Sequence, residues 1–242
     1  MWFWIRGIAS RLGLFLAISL SPAQGAERVS LELVLAIDVS VSVNDIEYRQ
    51  ELEGMALAFI DPEVVSLILN HEEGVAVLVT QWGGFAVSGV PMPWRVLRTE
   101  QDIAAFATGL RTMPRGNFGY LTAIGNAIIF AVNEIESNGF DGLEKKIDVA
   151  GDGRNNAGHN PVTAGALALA RGITINGLAI GDSDPGLVEY YAQNVISGPH
   201  AFVEPATGFA DFAEAFRRKL KRELSPKLAD AGPWRNTAGL KP

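Results

Sequence analysis

Leu31-Glu32-Leu33-Val34-Leu35-Ala36-Ile37-Asp38-Val39-Ser40-Val41-Ser42 is the stretch that decides how this chain is read. Leu31 to Ile37 is an apolar run interrupted only at Glu32, the pattern of a strand covered on both faces of a parallel sheet. A carboxylate and two hydroxyls at alternating positions after such a strand are poor core material. Open α/β sheets bind ligands at this position, the carboxyl ends of their strands. An all-oxygen set suits a hard divalent cation such as magnesium. It equally suits a plain strand-to-helix turn in which Asp38 and Ser42 cap the next helix, so the pentad alone leaves both readings open.

Outward from that stretch, strand-like and helix-like segments alternate. Asn44 to Phe59 carries a mixed helical stripe of Ile46, Leu52, Met55, Ala56 and Phe59, and Pro62 restarts a helical turn over Val64 to Leu69. Gly74 to Thr80 reads as a second strand. Phe85 to Val90 reads as a third, joined through the short Trp82-Gly83-Gly84 link and therefore an antiparallel edge. Thr99 opens a helix with Ile103, Phe106 and Leu110 inward, and a loop marked by Pro114, Gly116 and Gly119 follows. A helix from Thr122 to Ser137, strands at Lys146 to Ala150 and Ile173 to Ile180, and a helix at Val162 to Ala170 come next. A helix at Pro185 to Val195, a short strand near Ala201 to Val203 and a helix over Phe209 to Leu224 complete the series. This alternation predicts an α/β fold: a doubly wound, mostly parallel open sheet with helices on both faces and one antiparallel edge strand.

Two further oxygen-rich turns fall at strand ends or helix starts. Gly119-Tyr120-Leu121-Thr122-Ala123-Ile124-Gly125-Asn126-Ala127 sets a threonine at a helix entrance, where an N-cap role is the simpler reading. Ile147-Asp148-Val149-Ala150-Gly151-Asp152-Gly153-Arg154-Asn155-Asn156 sets Asp152 between glycines after a strand, a composition that also makes an ordinary turn.

In this order, D-x-S-x-S, G-x-x-T-x-x-G-x-A and strand-G-D-G resemble the von Willebrand factor A domain. The resemblance runs from about Val29 to Leu224 and is closest to an exported bacterial branch carrying a G-D-G-x-N-N turn (DUF1194-like). It implies a metal-ion-dependent adhesion site. Ser40 and Ser42 would ligate the ion through their hydroxyls, Thr122 directly or through water, and Asp38 and Asp152 would act largely through bridging waters. It also implies that strand one lies beside strand four, at the switch point where a ligand crevice forms. Many members carry G-x-T in the second motif, whereas here Gly119 stands three residues before Thr122. The physical logic agrees: magnesium keeps several waters in an octahedral shell, and few direct anionic ligands leave it electrophilic toward a partner's carboxylate. The function implied is a metal-dependent protein-binding module whose partner presents an acidic side chain, with Mg2+ as the ion and Mn2+ or Ca2+ as substitutes.

The rival is a doubly wound hydrolase, a phosphatase or esterase, using Asp38 and Ser40 at the same strand end. A dinucleotide enzyme would need glycines after strand one, a dehalogenase-type phosphatase a second carboxylate where Ser40 stands, and a serine hydrolase a G-x-S-x-G elbow. A third reading is a metal-free scaffold in which the hydroxyls only cap helices. Asn155 and Asn156 stand where they would line the rim of the site. His71, His159 and His200 lack histidine or cysteine neighbours at ligand spacing, and Asp182 and Asp184 read as helix caps.

The chain has 242 residues, with 27 acidic against 20 basic and a net charge of −7, which argues against nucleic acid as a partner. The basic run Arg217-Arg218-Lys219 with Lys221 and Arg222 reads as a solvated helix face. Arg6 and Arg11, the apolar run Leu12 to Leu20 and the small residues Ser21 to Ala26 read as a secretory signal peptide, so residues 1–25 are set apart from the fold. That run is too short to span a bilayer, and no later segment reaches the needed length. Without cysteine, an exported chain rests on core burial or bound ligands. The organisation expected is a signal peptide over 1–25, one A-type domain over 29–224 and a loosely ordered tail over 225–242, in a periplasmic or secreted protein. The native protein should begin near Ala26 or Glu27; N-terminal sequencing checks this, and an intact Met1 in a cytoplasmic fraction would refute it.

Overall fold

A computed structural model describes residues 25–84, 89–181 and 184–225. In chain order the elements are β1 (Glu27–Asp38), α1 (Asp45–Phe59), α2 (Pro62–Leu69), β2 (Val75–Trp82), β3 (Gly89–Leu97), α3 (Glu100–Arg111), α4 (Ile124–Glu136), β4 (Phe140–Gly151), α5 (Pro161–Leu169), β5 (Ile173–Ile180), α6 (Leu187–Asn194), β6 (Val203–Ala206) and α7 (Phe212–Leu224). The sheet order is β3-β2-β1-β4-β5-β6, all neighbours parallel except the β2–β3 edge pair. This is the α/β fold expected from the sequence.

Because β1 is central, side chains of alternating parity enter two different cores. Leu31, Leu33, Leu35 and Ile37 pack with Met55, Phe59, Phe106, Phe212 and Phe216, from helices α1, α3 and α7. Val34 and Ala36 face Ile124, Ile128, Ala131 and Tyr191 on the other side. Glu32, the interruption in the run, is fully buried and satisfied. It accepts from Asn138 Nδ2 at 2.6 Å and from Gly142 N at 2.8 Å, with Lys145 Nζ at 3.8 Å. Helix starts follow local chemistry. Asn44 forms a capping box with Glu47, Thr99 forms one with Asp102, and Pro62 and Pro161 sit in first turns behind Asp61 and Asn160 caps.

Several boundaries depart from the sequence reading. The edge strand is Gly89–Leu97 rather than Phe85 to Val90, and residues 85–88 lie outside those described. Pro91 and Pro93 stand within this strand; at an edge a missing N–H is tolerated, and the β2–β3 register shifts there. β4 begins at Phe140 instead of Lys146, because its polar first half pairs with the start of β1 from Glu27↔Phe140 onward. β6 is Val203–Ala206 instead of Ala201 to Val203, and α6 starts only at Leu187. The signal-peptide residues 1–24 and tail residues 226–242 fall outside the described residues.

The basic run is not uniformly solvated, which corrects the sequence reading. Arg217, Arg218 and Lys221 pair at the surface with Glu214, Glu204 and Glu63. Lys219, in contrast, is fully buried, its Nζ 2.6 Å from Asp148 Oδ1 on β4 and 2.7 Å from Glu223 Oε1 one turn on. Helical periodicity turns one residue in this run toward the sheet, and the sheet meets it with a carboxylate. Removing one partner of a buried ion group strands the others. Lys219→Ala should therefore cost about 3–5 kcal/mol in urea unfolding, whereas Lys221→Ala at the surface should cost less than about 1 kcal/mol. Equal small losses would contradict this assignment.

Candidate metal centre

Parallel pairing of β1 with β4 sets Ile37 opposite Ala150, so Asp38 emerges beside Gly151 and Asp152 at the carboxyl rim of the sheet. This is where the chain reverses direction across the sheet, since β2 and β4 flank β1. After Asp38 the chain turns through Val39 to Val43, and α1 leads away from the rim.

The oxygens converge. Asp38 Oδ1 accepts from Ser40 N at 2.8 Å, which folds the loop back on the strand end. Ser40 Oγ and Ser42 Oγ are 3.0 Å apart, and Ser42 Oγ donates to Asp152 Oδ1 at 2.7 Å. With its single proton committed to Asp152, Ser42 accepts from Ser40, which fixes the direction of the chain of bonds. Asp38, Ser40 and Asp152 are buried while Ser42 is exposed, so the row runs from the interior to the mouth. Thr122 is 6 % exposed and sits across the Asp152 turn, its Oγ1 3.5 Å from where a Cβ on Gly153 would stand. It does not cap α4, whose N-cap is Ala123 with no side-chain bond. All five residues singled out in the sequence are thus gathered at one rim, four of them linked by hydrogen bonds.

The two loops that carry them are locked together. Asn156 Oδ1 accepts from Thr122 N at 2.8 Å, and Asn156 N donates to Thr122 O at 2.9 Å. Asn155 Oδ1 accepts from Gly125 N at 3.2 Å. The two asparagines stand half-buried and exposed at the rim and clamp it together through these bonds. Gly125 is required by the same clamp: a Cβ there would stand 2.1 Å from His159 O. Arg115, which the sequence reading passed over, ties down the other loop. Its Nη2 donates to Ser40 O at 3.2 Å and to Val43 O, while Nη1 meets Asp45 Oδ1 at 2.7 Å. Only its place in a proline- and glycine-marked loop hinted at such a role.

The electrostatics leave the centre short of positive charge. Burial pushes the Asp38 carboxyl up from 3.8 to about 7, against the opposing Ser40 N–H, and the Asp152 charge raises it further. Asp38 Oδ2 is buried and accepts no hydrogen bond. A hydroxyl pair and two carboxylates, one of them with an orphaned oxygen, fit a hard divalent cation, which would supply the missing positive charge. The other candidates lie elsewhere: His71 Nε2 meets Leu224 O at 3.1 Å, and Asp184 accepts from Gly186 N at 2.9 Å and pairs with Arg154. Asp182 lies outside the described residues. Among the described residues no cluster of three histidine, cysteine or acidic side chains is placed to hold a metal, so a centre here depends on the serine hydroxyls.

The fold is that of the von Willebrand factor A domain. Proximal thread matrix protein 1 from the mussel byssus, in a structure titled with a zinc-occupied MIDAS motif, has TM-score 0.56 and 14% identity over 82% of this chain and 46% of its own. A von Willebrand factor type A protein from Catenulispora acidiphila matches with TM-score 0.56 and 16% identity over 82% of this chain and 43% of its own. An aerotolerance-related membrane protein from Bacteroides fragilis, carrying multiple mutations to serines, matches with TM-score 0.52 and 17% identity over 80% and 98%. The chain spans less than half the length of the first two. No curated protein matches it in sequence. Residues 28–228 match the family described as "Protein of unknown function (DUF1194)", and the chain belongs to that family.

The raised carboxyl makes a prediction of its own. A folded-state value of about 7 against 3.8 means the folded form holds a proton the unfolded chain has released, so metal-free stability falls as pH rises through that window. Asp38→Asn removes this penalty. In metal-free protein its Tm at pH 8 should exceed that of the parent chain, with the difference shrinking toward pH 5. A variant less stable at every pH would contradict the account.

Proposed function

We propose that this chain is an exported protein-binding module that engages its partner through one divalent cation, Mg2+ in the simplest case, with Mn2+ or Ca2+ able to replace it. The observation that carries the reading is the continuous row Ser40 Oγ, Ser42 Oγ and Asp152 Oδ1, at 3.0 and 2.7 Å spacing, above the unpartnered Asp38 Oδ2. Ser40 and Ser42 would hold the ion directly, Thr122 from across the Asp152 turn, and Asp38 and Asp152 through charge and bridging water. When bound, the ion supplies an electrophilic coordination position at the mouth. The chain's own residues orient the hydroxyls and neutralise the charge. A protein of similar fold, the mussel protein, is titled with a zinc-occupied MIDAS motif, which supports a metal-binding reading.

The surroundings favour binding over catalysis as well. Ser40 Oγ has Ser42 as its hydrogen-bond neighbour, which leaves it without the histidine that a serine nucleophile needs. Apolar side chains stand exposed beside the mouth: Val41 (59%) and Tyr120 (81%) line one hollow there, and Ile46 (72%) lies in the first turn of α1. Exposed apolar side chains gathered at one place mark a contact face. A partner would set a glutamate or aspartate on the ion and apolar groups against this rim. Among the described residues no helix is long and apolar enough to cross a membrane, and Arg6, Arg11 and Leu12 to Leu20 support export.

Calorimetry with Mg2+ and Mn2+ should give one site per chain, lost in Asp152→Ala and weakened at least about tenfold in Ser40→Ala and Ser42→Ala, since losing outer-shell groups alone costs 10–100-fold elsewhere. A partner captured from the exported fraction should release with chelator, return with Mg2+ and bind more weakly to Tyr120→Ala. Binding indifferent to chelator would refute the metal-dependent reading.

A further inference from the structure

Asp38 Oδ2 is not alone in lacking a partner. Tyr191 Oη on α6 and both carboxylate oxygens of Glu51 on α1 are also buried without a hydrogen bond. Tyr191 and Glu51 are each 0% exposed, so bulk water does not satisfy them. Buried polar groups in native proteins are almost always satisfied, and two orphaned oxygens set against the same glycine leave room for a further group to satisfy both.

Tyr191 and Asp38 converge on one point. A Cβ built on Gly151 would stand 2.9 Å from Tyr191 Oη and 3.1 Å from Asp38 Oδ2, so the two orphaned oxygens flank the same glycine. They make no direct hydrogen bond but are near enough for one water to bridge them, and only glycine leaves that space open. The first glycine of the Gly151-Asp152-Gly153 turn is thereby accounted for. Tyr191 also packs its ring into the core against Gly177, which fixes where its hydroxyl points.

Glu51 approaches from the opposite layer. The charges that bear on it most are those of Asp38 and then Asp152, and Arg115 is the cation that bears on both Glu51 and Asp38. Two buried carboxylates, Asp38 and Glu51, that share one guanidinium and both feel the Asp152 charge leave an excess of negative charge that a divalent cation offsets. Asp45, the surface partner of Arg115, is solvated and changes this balance little.

We infer that Tyr191 and Glu51 are the outer shell of the metal centre: the Tyr191 hydroxyl donates to Asp38 Oδ2 through one water, and Glu51 accepts hydrogen bonds from water held at the centre. The inference rests on the reading of Asp38, Ser40, Ser42 and Asp152 as a divalent-cation site. With Ser40 N–H on one oxygen and Tyr191 on the other, Asp38 is held at both ends and presented in one orientation. Glu51 adds anionic charge without occupying a ligand position, leaving the outward position free for a partner. Both are positioning residues that act through Asp38 and bound water.

The test is Mn2+ and Mg2+ titration of the mature chain by calorimetry, with Tyr191→Phe, Glu51→Gln and Glu51→Leu beside the parent. Tyr191→Phe removes one oxygen and keeps the ring, so its core packing stands. Tyr191→Phe and Glu51→Gln should each weaken affinity about tenfold or more. Metal addition should give a near-ultraviolet tyrosine difference signal in the parent that Tyr191→Phe lacks. Glu51→Leu should bind metal weakly yet raise the metal-free Tm, since it removes a buried unpartnered carboxylate; a general loss of folding would move both the same way. Parent binding with unchanged affinity in Tyr191→Phe and Glu51→Gln overturns the inference and leaves the site reading intact. A parent chain that takes up neither ion overturns both.

Discussion

The pairing of β1 with β4 is the constraint on which the rest of this structure depends. With Ile37 opposite Ala150, the last residue of β1 comes to rest against the Gly151-Asp152-Gly153 turn. A one-residue slip of register would swap the faces of the strand. Leu33, Leu35 and Ile37 would leave the core they share with α1 and α7, and Asp38 would enter it. The burial of two separate cores therefore fixes the register, and the register fixes which oxygens meet.

What meets there is costly to assemble. Asp38, Asp152 and Glu51 are all buried, and Asp38 and Glu51 keep oxygens without partners. The surrounding fold tolerates this because both loops are tied at several points that do not touch the row of oxygens. Asn155 and Asn156 clamp the Asp152 turn to the start of α4, and Arg115 gathers the carbonyls of the Ser40 loop. Rigid support of an unsatisfied polar site is what preorganisation for an ion requires. The same charge deficit that makes the metal-free form less stable at neutral pH is what gives a cation its affinity.

Much of this was legible in the sequence because it is local or periodic. The alternation of segments, the caps at Asn44 and Thr99, and the alternating Asp38, Ser40 and Ser42 can each be read within a few residues. That strand one lies beside strand four, and that Thr122 and Asp152 reach one rim, followed from the resemblance that the three motifs carry together. The rest is a matter of which side chains face each other across the fold. Arg115 and Tyr191 are defined by atoms more than 70 and 150 residues away in sequence, at Ser40 and Asp38 respectively. Glu51 and Lys219 each follow a polar, more exposed pair, Arg49-Gln50 and Arg217-Arg218, which makes them read as the continuation of a solvated face. The edge strand carries Pro91 and Pro93, and whether a missing N–H matters depends on which side the sheet lies.

Anomalous diffraction from crystals of the mature chain soaked in Mn2+ tests the central claim most directly, because it locates the ion without reference to activity or partner. A single strong peak should lie within coordination distance of Ser40 Oγ and Ser42 Oγ, at the Asp152 end of the row and above Asp38. A site empty of manganese while other surface carboxylates bind it would contradict the account.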